Sequence, residues 1–126
     1  MSNMCPCESG LPFEACCQPI LTGAPAQSAE ALMRSRFTAY TLGDVHYLLK
    51  SWHSTTRPKT LELNAGQKWL GLKIKDTVNG ETESYVEFVA RFKIEGRGHR
   101  LHERSRFIKE DDHWYYVDGE LKASSR

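Results

Sequence analysis

Four cysteines lie within the first seventeen residues and form two close pairs. One proline interrupts the first pair and the second pair is contiguous; the four are Cys5, Cys7, Cys16 and Cys17. Between the pairs, Ser9-Gly10 favours a chain reversal, because glycine accepts the positive φ that such turns often require. Four thiolates complete a structural zinc site when two short clusters meet across a reversing loop. The spacing therefore predicts one structural Zn²⁺ ion held by all four cysteines.

Other states of these thiols are two disulfides, buried thiols without a ligand, or a redox pair. A disulfide between the adjacent Cys16 and Cys17 would be strained. The chain starts without a basic, apolar leader and has no run of eighteen apolar residues, which indicates a cytoplasmic protein with no membrane segment. Thiols stay reduced in the cytoplasm, and this favours metal ligation over disulfides.

The formal charge argues against a general polyanion partner. Seventeen Lys and Arg residues oppose sixteen Asp and Glu residues, so the chain carries +1. A divalent ion on four thiolates would bring the net charge to about −1. Neither value resembles the basic footprint of a nucleic-acid-binding domain. The length of 126 residues fits one domain plus a short appendage, and such a domain folds without disulfides.

The elements that position the cysteines begin after a change in composition near residue 28. All four cysteines and four of the five prolines precede Ser28, whereas every Trp and Tyr follows it. We therefore divide the chain into residues 1–27, a zinc-binding arm with its connector, and residues 28–126, an α+β domain. Pro19, Gly23 and Pro25 predict that the connector is extended.

Two helices are predicted from apolar residues spaced three and four apart. The first begins at the N-cap Ser28 and ends at Gly43, and the second begins at the N-cap Asp44. The apolar face of the first helix is Ala29, Leu32, Met33, Phe37 and Tyr40, and that of the second is Val45, Leu48, Leu49 and Trp52.

Alternating apolar residues then predict four strands, near residues 68–78, 82–95, 99–110 and 113–118. The turns between them are marked by Asn79-Gly80, Gly96–Gly98 and Asp111-Asp112, and Asn-Gly between alternating runs is a strong hairpin signal. Two helices followed by an antiparallel meander with one apolar face predict a curved four-stranded sheet wrapped round the long helix. The predicted fold class is α+β, with the shape of a cone or cup.

The cysteine region closely resembles a known zinc motif. Its pattern, Cys-Pro-Cys-x-Ser-Gly followed by Cys-Cys, has the spacing of the SEC-C motif, first known from the C-terminal tail of the bacterial preprotein translocase motor. In that protein the loop between the pairs is rich in lysine and resembles a surface for anionic partners. Residues 11–15 of this chain contain no lysine. The resemblance therefore implies a zinc site and gives less support to docking of a ribosome or chaperone.

The rest of the chain resembles the YchJ-like family of uncharacterised bacterial proteins. Residues 31–40, 52–53, 102–107 and 114–119 carry this resemblance, which extends over nearly the whole chain. It implies a nuclear-transport-factor-two-like (NTF2-like) domain, a cystatin-like cone in which a curved sheet encloses a helix. That expectation agrees with the cup predicted from periodicity.

Glu103 is the first candidate for a functional residue in the cup. On the third strand, one face carries Leu101, Glu103, Ser105 and Phe107. If the apolar members of this row point inward, Glu103 does as well, and a carboxylate in an apolar row must be paired, hydrogen-bonded or protonated. Its candidate partners are Arg34, Arg36 and His53. The alternatives are a structural ion pair between helix and sheet and, for Ser105, either a mouth-lining hydroxyl or a small residue that leaves room for the helix.

The last strand adds Tyr116 and Asp118 to the candidates. Its aromatic residues suit either the core or the wall of a ligand site with polar tips. His53 and Asp118 form a candidate acid and base for proton transfer of the isomerase type seen in cups of this fold, although fold alone does not establish function.

Three functions remain open from the sequence. The favoured one is a zinc-stabilised binding or interaction protein whose arm docks a protein partner or braces the cup, and whose cup takes a small apolar ligand. The alternative is a small-molecule enzyme that uses Glu103, His53, Asp118 and Tyr116 for acid/base chemistry, although the sequence contains no complete catalytic constellation. The second alternative is nucleic-acid or ribosome docking through residues 97–109, where five basic residues accompany one acid. The near-neutral charge argues against it, and the same pattern suits a solvated strand face.

Overall fold

A computed structural model describes residues 4–64 and 66–121. The outer ends of the two predicted units, residues 1–3 and 122–126, lie outside the described part, as does residue 65. In chain order the elements are a 3₁₀ turn Phe13–Ala15, helices α1 Cys17–Leu21, α2 Ala29–Leu42 and α3 Val45–Lys50, and strands β1 Gln67–Asn79, β2 Glu83–Ile94, β3 Arg97–Glu110 and β4 His113–Leu121. Over the described ranges, every helix is too short or too polar to cross a membrane.

The caps of α2 and α3 are those predicted from the sequence. The Ser28 hydroxyl accepts a hydrogen bond from the Ala31 N–H at 3.1 Å, and the helix ends at Gly43, whose φ of 75° is in the left-handed region. The Asp44 carboxylate accepts from the Tyr47 N–H at 3.0 Å. Helix α3 ends at Lys50.

Two details of the predicted helical region are wrong. Trp52 does not extend the apolar face of α3, because it follows the helix and forms an isolated bridge with Tyr116 instead. The connector is not extended throughout, since α1 occupies its first residues. Pro19 is compatible with this helix because it lies in the first turn, where a backbone N–H has no intrahelical partner.

The four strands form one antiparallel sheet in the order β1-β2-β3-β4. Two-residue turns join β2 to β3 at Glu95-Gly96 and β3 to β4 at Asp111-Asp112, and all four residues have positive φ. Positive φ at both central positions matches the right-handed twist of the flanking strands. The turn after Asn79 is longer and spans residues 80–82. The α+β fold class and the strand order predicted from the sequence are therefore confirmed.

The pairing of the sheet is irregular at three places. Register shifts occur between β1 and β2 at Trp69/Gly71 and at Ile74/Asp76, and between β3 and β4 at Arg106/Phe107. Such bulges bend a strand and increase its twist. The core between α2, α3 and the sheet includes Leu32, Met33, Phe37, Leu48, Leu72, Val86, Phe88 and Phe107.

Phe107→Ala tests the importance of this core. The Phe107 side chain is fully buried at 0% exposure, so truncation leaves a cavity and should lower the free energy of unfolding by about 3–5 kcal/mol. Leu121→Ala is the control, because Leu121 is 68% exposed and its truncation should change stability by no more than about 0.5 kcal/mol. Urea unfolding followed by tryptophan fluorescence measures both, and equal losses would contradict the assignment of Phe107 to the core.

Candidate metal centre and cup cavity

A tight hairpin brings the two cysteine pairs together. The Cys5 N–H donates to the Leu11 carbonyl at 2.9 Å, and the Glu8 N–H donates to the Cys5 carbonyl at 3.1 Å. Glu8 and Gly10 have φ values of 62° and 90°, so both residues occupy the left-handed region in which the chain turns back. The reversal lies where Ser9-Gly10 predicted it.

The four sulfurs lie within bonding range of a single ion. Their Sγ atoms are all within 4.8 Å of one another, with Cys7 to Cys16 at 3.6 Å and Cys16 to Cys17 at 3.9 Å. All four cysteines are free thiols. Metal–sulfur bonds of about 2.3 Å in a tetrahedral site space the sulfurs about 3.8 Å apart. The donor set and its spacing therefore fit a metal ion held by four thiolates.

The protein alone stabilises negative charge mainly on Cys7. The hydrogen bond from Cys17 outweighs burial and lowers the pKa of Cys7 to about 4. The same hydrogen bond, together with burial, raises the pKa of Cys17, and burial raises the pKa of Cys16. Ionising all four thiols therefore requires a positive charge among them, which a bound cation supplies.

Helix α2 holds this cysteine cluster from one side. The Thr38 hydroxyl is fully buried, donates to the Cys17 Sγ at 3.3 Å and lies 3.7 Å from the Cys5 Sγ. One turn earlier, Arg34 donates from Nη1 to the Cys7 carbonyl at 2.7 Å. The arm is thus attached to the helix by contacts with its thiols and with its backbone.

A second feature is a cavity of about 170 Å³ between α2 and the sheet, which we call the cup cavity. Its apolar walls are Met33, Phe37, Tyr40, Trp69, Phe88, Ala90 and Leu101. Its polar lining residues are Arg36, Glu103, Ser105 and Tyr116, and Trp52 also borders it. The mixture of apolar walls and a few polar groups is typical of a small-molecule site.

The Glu103 carboxylate is held inside the cup by β3 and β4. Its Oε2 accepts from the Ser105 hydroxyl at 2.7 Å and from the Tyr116 hydroxyl at 3.5 Å. It also packs against Gly119, at the place where a Cβ atom would stand. Burial and then the Glu103 charge raise the pKa of Tyr116, so this hydroxyl stays protonated and donates.

Arg36 is a buried cation at the same cavity. Its side chain is 3% exposed, and its Nη1 donates to the Leu48 carbonyl at 2.9 Å and to the Ser51 hydroxyl at 2.6 Å. The guanidinium carbon lies 4.4 Å from the centre of the Tyr116 ring and 5.0 Å from that of Trp52. Burial lowers the pKa of Arg36, but a guanidinium remains charged in proteins. Aromatic faces and neutral acceptors therefore stabilise this charge.

Comparison with known proteins identifies both parts of the chain. A profile of the SEC-C motif matches residues 1–19, and a profile described as the YchJ middle NTF2-like domain matches residues 28–119. The chain belongs to the YchJ-like family. This confirms the resemblance recognised in the sequence.

Relatives and solved structures agree with the assignment to the YchJ-like family. A UPF0225 protein of Polaromonas naphthalenivorans (strain CJ2) is 46% identical over 95% of this chain and 98% of its own length. The solution structure of a SEC-C motif containing protein from Rhodopseudomonas palustris has a TM-score of 0.86 and 33% identity, and the match covers 98% of this chain and 100% of that one. The crystal structure of a SEC-C motif containing protein from Psychrobacter arcticus has a TM-score of 0.78 and 27% identity, with 97% and 84% covered.

Of the cup residues predicted from this YchJ-like sequence, Arg36, Glu103, Ser105 and Tyr116 line the cavity. Arg34 instead faces the arm, with Glu30 at 3.0 Å as its ion-pair partner. His53 is buried elsewhere, with Nδ1 2.7 Å from the Thr55 hydroxyl and Nε2 3.2 Å from Glu110. The structure therefore separates both residues from Glu103.

Asp118 lies on the outer face of the sheet, where it forms an ion pair with Arg106 at 3.2 Å. Arg106 also pairs with Glu83 at 3.3 Å, and His102 lies 2.7 Å from Glu87. Two outward side chains of β3, His102 and Arg106, thus meet neighbouring acids. His53 and Asp118, the predicted acid and base, therefore do not line the cup cavity.

Sequence reasoning missed Thr38 and Gly119. Thr38 interrupts an otherwise apolar stretch of α2 between Phe37 and Ala39, and a polar residue inside an apolar stretch is a usable signal of a buried hydrogen bond. Gly119 lies inside a strand, and a glycine there often marks close approach of another group. In this YchJ-like protein that group is Glu103.

Gly119→Ala tests the position of the Glu103 carboxylate. The added methyl group would occupy the space of the carboxylate and disrupt its hydrogen bonds with Ser105 and Tyr116, so stability should fall by about 1–3 kcal/mol. Gly98→Ala is the matched control on β3, since no atom within 4 Å would meet its Cβ. Chemical unfolding of both variants measures the difference, and equal stability would show that Glu103 is held elsewhere.

Proposed function

We propose that this protein is a zinc-stabilised binding protein. In this proposal, one structural Zn²⁺ ion is held by Cys5, Cys7, Cys16 and Cys17 and fixes the arm to α2, and the cup behind α2 takes a small ligand. The observation that carries the proposal is that a single helix contacts both sites. The division into an arm of residues 1–27 and a cup domain of residues 28–126 is retained.

The two sides of α2 support this coupling. Arg34 and Thr38, one turn apart, contact the cysteine cluster. A neighbouring stripe on the same helix lines the cavity and consists of Met33, Arg36, Phe37 and Tyr40. The residues that contact the arm and those that line the cavity are less than one helical turn apart. Disorder of the arm would therefore displace the cavity-lining side chains of α2.

The chemistry of the donor set supports zinc in a structural role. Four thiolates favour Zn²⁺ or iron over hard cations such as Mg²⁺, and a closed set of four protein ligands is typical of structural rather than catalytic zinc. Three of the four cysteines are buried. The ion would supply the positive charge that lets all four thiols ionise, and its binding would add to the free energy of folding.

Burial of three of the arm's cysteines favours bracing over docking of a protein partner. Cys5, Cys7 and Cys17 join the hydrophobic core, and Phe13 packs against it. A surface committed to its own domain offers less contact area to another protein. The free thiols also fit a reducing compartment, so we assign the protein to the cytoplasm.

The first test of this proposal is the metal content. Protein purified under reducing conditions should carry about one zinc per chain by elemental analysis. Cys7→Ser should lose most of it, and Thr22→Ala, which removes an arm hydroxyl bonded to the Gln18 and Pro19 carbonyls rather than to a thiol, should retain it. Removal of the ion with a strong chelator should lower the unfolding midpoint. Protein that lacks bound metal would overturn the metal site, and one iron in place of zinc would overturn the choice of ion.

The second test concerns the attachment to α2. Thr38→Val keeps the buried volume but removes the hydroxyl that donates to Cys17, so metal affinity should fall roughly 10- to 100-fold, as for other residues that orient metal ligands. Thr41→Val is the control, because the Thr41 hydroxyl donates to the Phe37 carbonyl instead. Competition with a chromophoric chelator measures both affinities, and an unchanged affinity in Thr38→Val would count against a brace at this position.

A further inference from the structure

The cup cavity contains two opposite charges that are held apart. Arg36 and Glu103 both line the cavity, and both belong to the described part of the chain, yet the ion pairs in that part do not include one between them. They are the charged residues among those that line the cavity. The lining is therefore neutral as a whole but strongly polarised at one end.

One side of this polar end offers unused hydrogen-bond donors. The Arg36 guanidinium bonds only through Nη1 to described residues, which leaves its Nε and Nη2 groups to serve another acceptor. Trp52 borders the same cavity, and its Nε1 is buried without a partner in residues 4–64 and 66–121. A buried indole N–H such as that of Trp52 is normally satisfied. The cavity is thus a place where an acceptor would meet the remaining Arg36 donors.

The other side offers an acceptor. Both described hydrogen bonds to Glu103, from Ser105 and from Tyr116, end on Oε2. The second oxygen, Oε1, has no donor among the described residues. A donor N–H or O–H in the cavity would complete the coordination of this carboxylate.

The remaining walls limit the body of the ligand. They are mostly aromatic or aliphatic, and an apolar cavity of about 150 Å³ accommodates a benzene ring. The volume of about 170 Å³ therefore suits one six-membered ring or a branched chain of similar size.

We propose that the cup binds a small uncharged molecule with a compact apolar body and one amide-like head. The head accepts hydrogen bonds from Arg36 and donates one to Glu103. A charged head would leave the neutral cavity with one uncompensated charge, which is costly in an apolar site. This inference rests on the proposed function, because it specifies the ligand class of the same cup.

Four probes of similar shape test the inference: benzamide, benzoate, benzylammonium and toluene. Titrations of the reduced, zinc-loaded protein, labelled with ¹³C at the methionine methyl groups, give the dissociation constants. The Met33 side chain lines the cavity and reports occupancy, while Met4, which belongs to the arm, lines a different groove and reports binding there. Benzamide should bind roughly 10- to 100-fold more tightly than each of the other three, the range expected for one hydrogen bond to a charged group.

Glu103→Gln changes the charge of the cavity while keeping the shape of the side chain. It leaves Arg36 as the charged residue of the lining, so benzoate should become the tightest of the four probes. Glu110→Gln removes the same charge next to His53, outside the cavity lining, and should leave benzamide preferred. The ranking by the unmodified protein tests the inference independently of how well the Glu103 variant folds.

The outcomes separate this inference from the proposed function. Benzamide preference with reversal in Glu103→Gln supports the inference. Binding at Met33 with a charged probe or toluene preferred overturns the ligand class but leaves a ligand-binding cup. A Met33 resonance unmoved by all four probes overturns the inference and the proposed ligand-binding role together, while the metal tests still decide the zinc brace.

Discussion

Four thiols gathered within 4.8 Å of one another impose the electrostatic constraint on which the arm depends. Thiolates at this separation repel one another. The protein's own hydrogen bonds lower the pKa of Cys7, whereas the pKa values of Cys16 and Cys17 are raised. The hairpin supplies proximity but not the compensating charge. A divalent cation would supply that charge, because it neutralises the thiolates, and it would also fix their separation. The contacts of the arm with α2 follow from where that cluster must lie, because they are made by Cys5, Cys7 and Cys17.

Helix α2 therefore makes buried polar contacts on two sides. On one side, the Thr38 hydroxyl donates a hydrogen bond to the Cys17 sulfur. On the other side, Arg36 lines the cup cavity and donates to the Leu48 carbonyl and the Ser51 hydroxyl. A helix with buried polar contacts on both sides cannot rotate or slide without breaking hydrogen bonds in a low-dielectric interior, where each is costly to lose. Under the proposed function, the arm acts on the cavity through α2, since it contributes no lining residue among those described.

The parts of this protein that local chemistry dictates were predictable from the sequence. The helix caps lie where the residue types predict them, at Ser28, Gly43 and Asp44. This is because a cap depends only on the neighbouring backbone. Glu103 could be assigned to the inner face because β3 keeps its alternation from Leu101 to Phe107. Arg36 and the four cysteines likewise lie in the regions expected. Thr38 could not be connected to the cysteines from sequence, since that contact spans 21 residues.

Asp118 shows most clearly why the remaining residues escaped prediction. Tyr116 and Asp118 have the same parity, so a regular strand would point both into the cup. The register shift in β4 pairs Arg106 with Asp118 but Phe107 with Tyr116, and the buried Val117 takes up the extra position. One bulged residue therefore sends Tyr116 inward and Asp118 outward.

The separation of Arg36 from Glu103 bears on the two interpretations that the sequence left open. A purely structural ion pair gains most when its members touch, because direct contact compensates the desolvation of both charges. Here each charge is instead held by its own neighbours: Arg36 by neutral acceptors and two rings, and Glu103 by two hydroxyls and the space above Gly119. Such an arrangement costs stability that direct pairing would recover. Polar groups positioned in advance and left partly unsatisfied are what a binding site requires, so the physical cost of the separation favours a site built for a ligand.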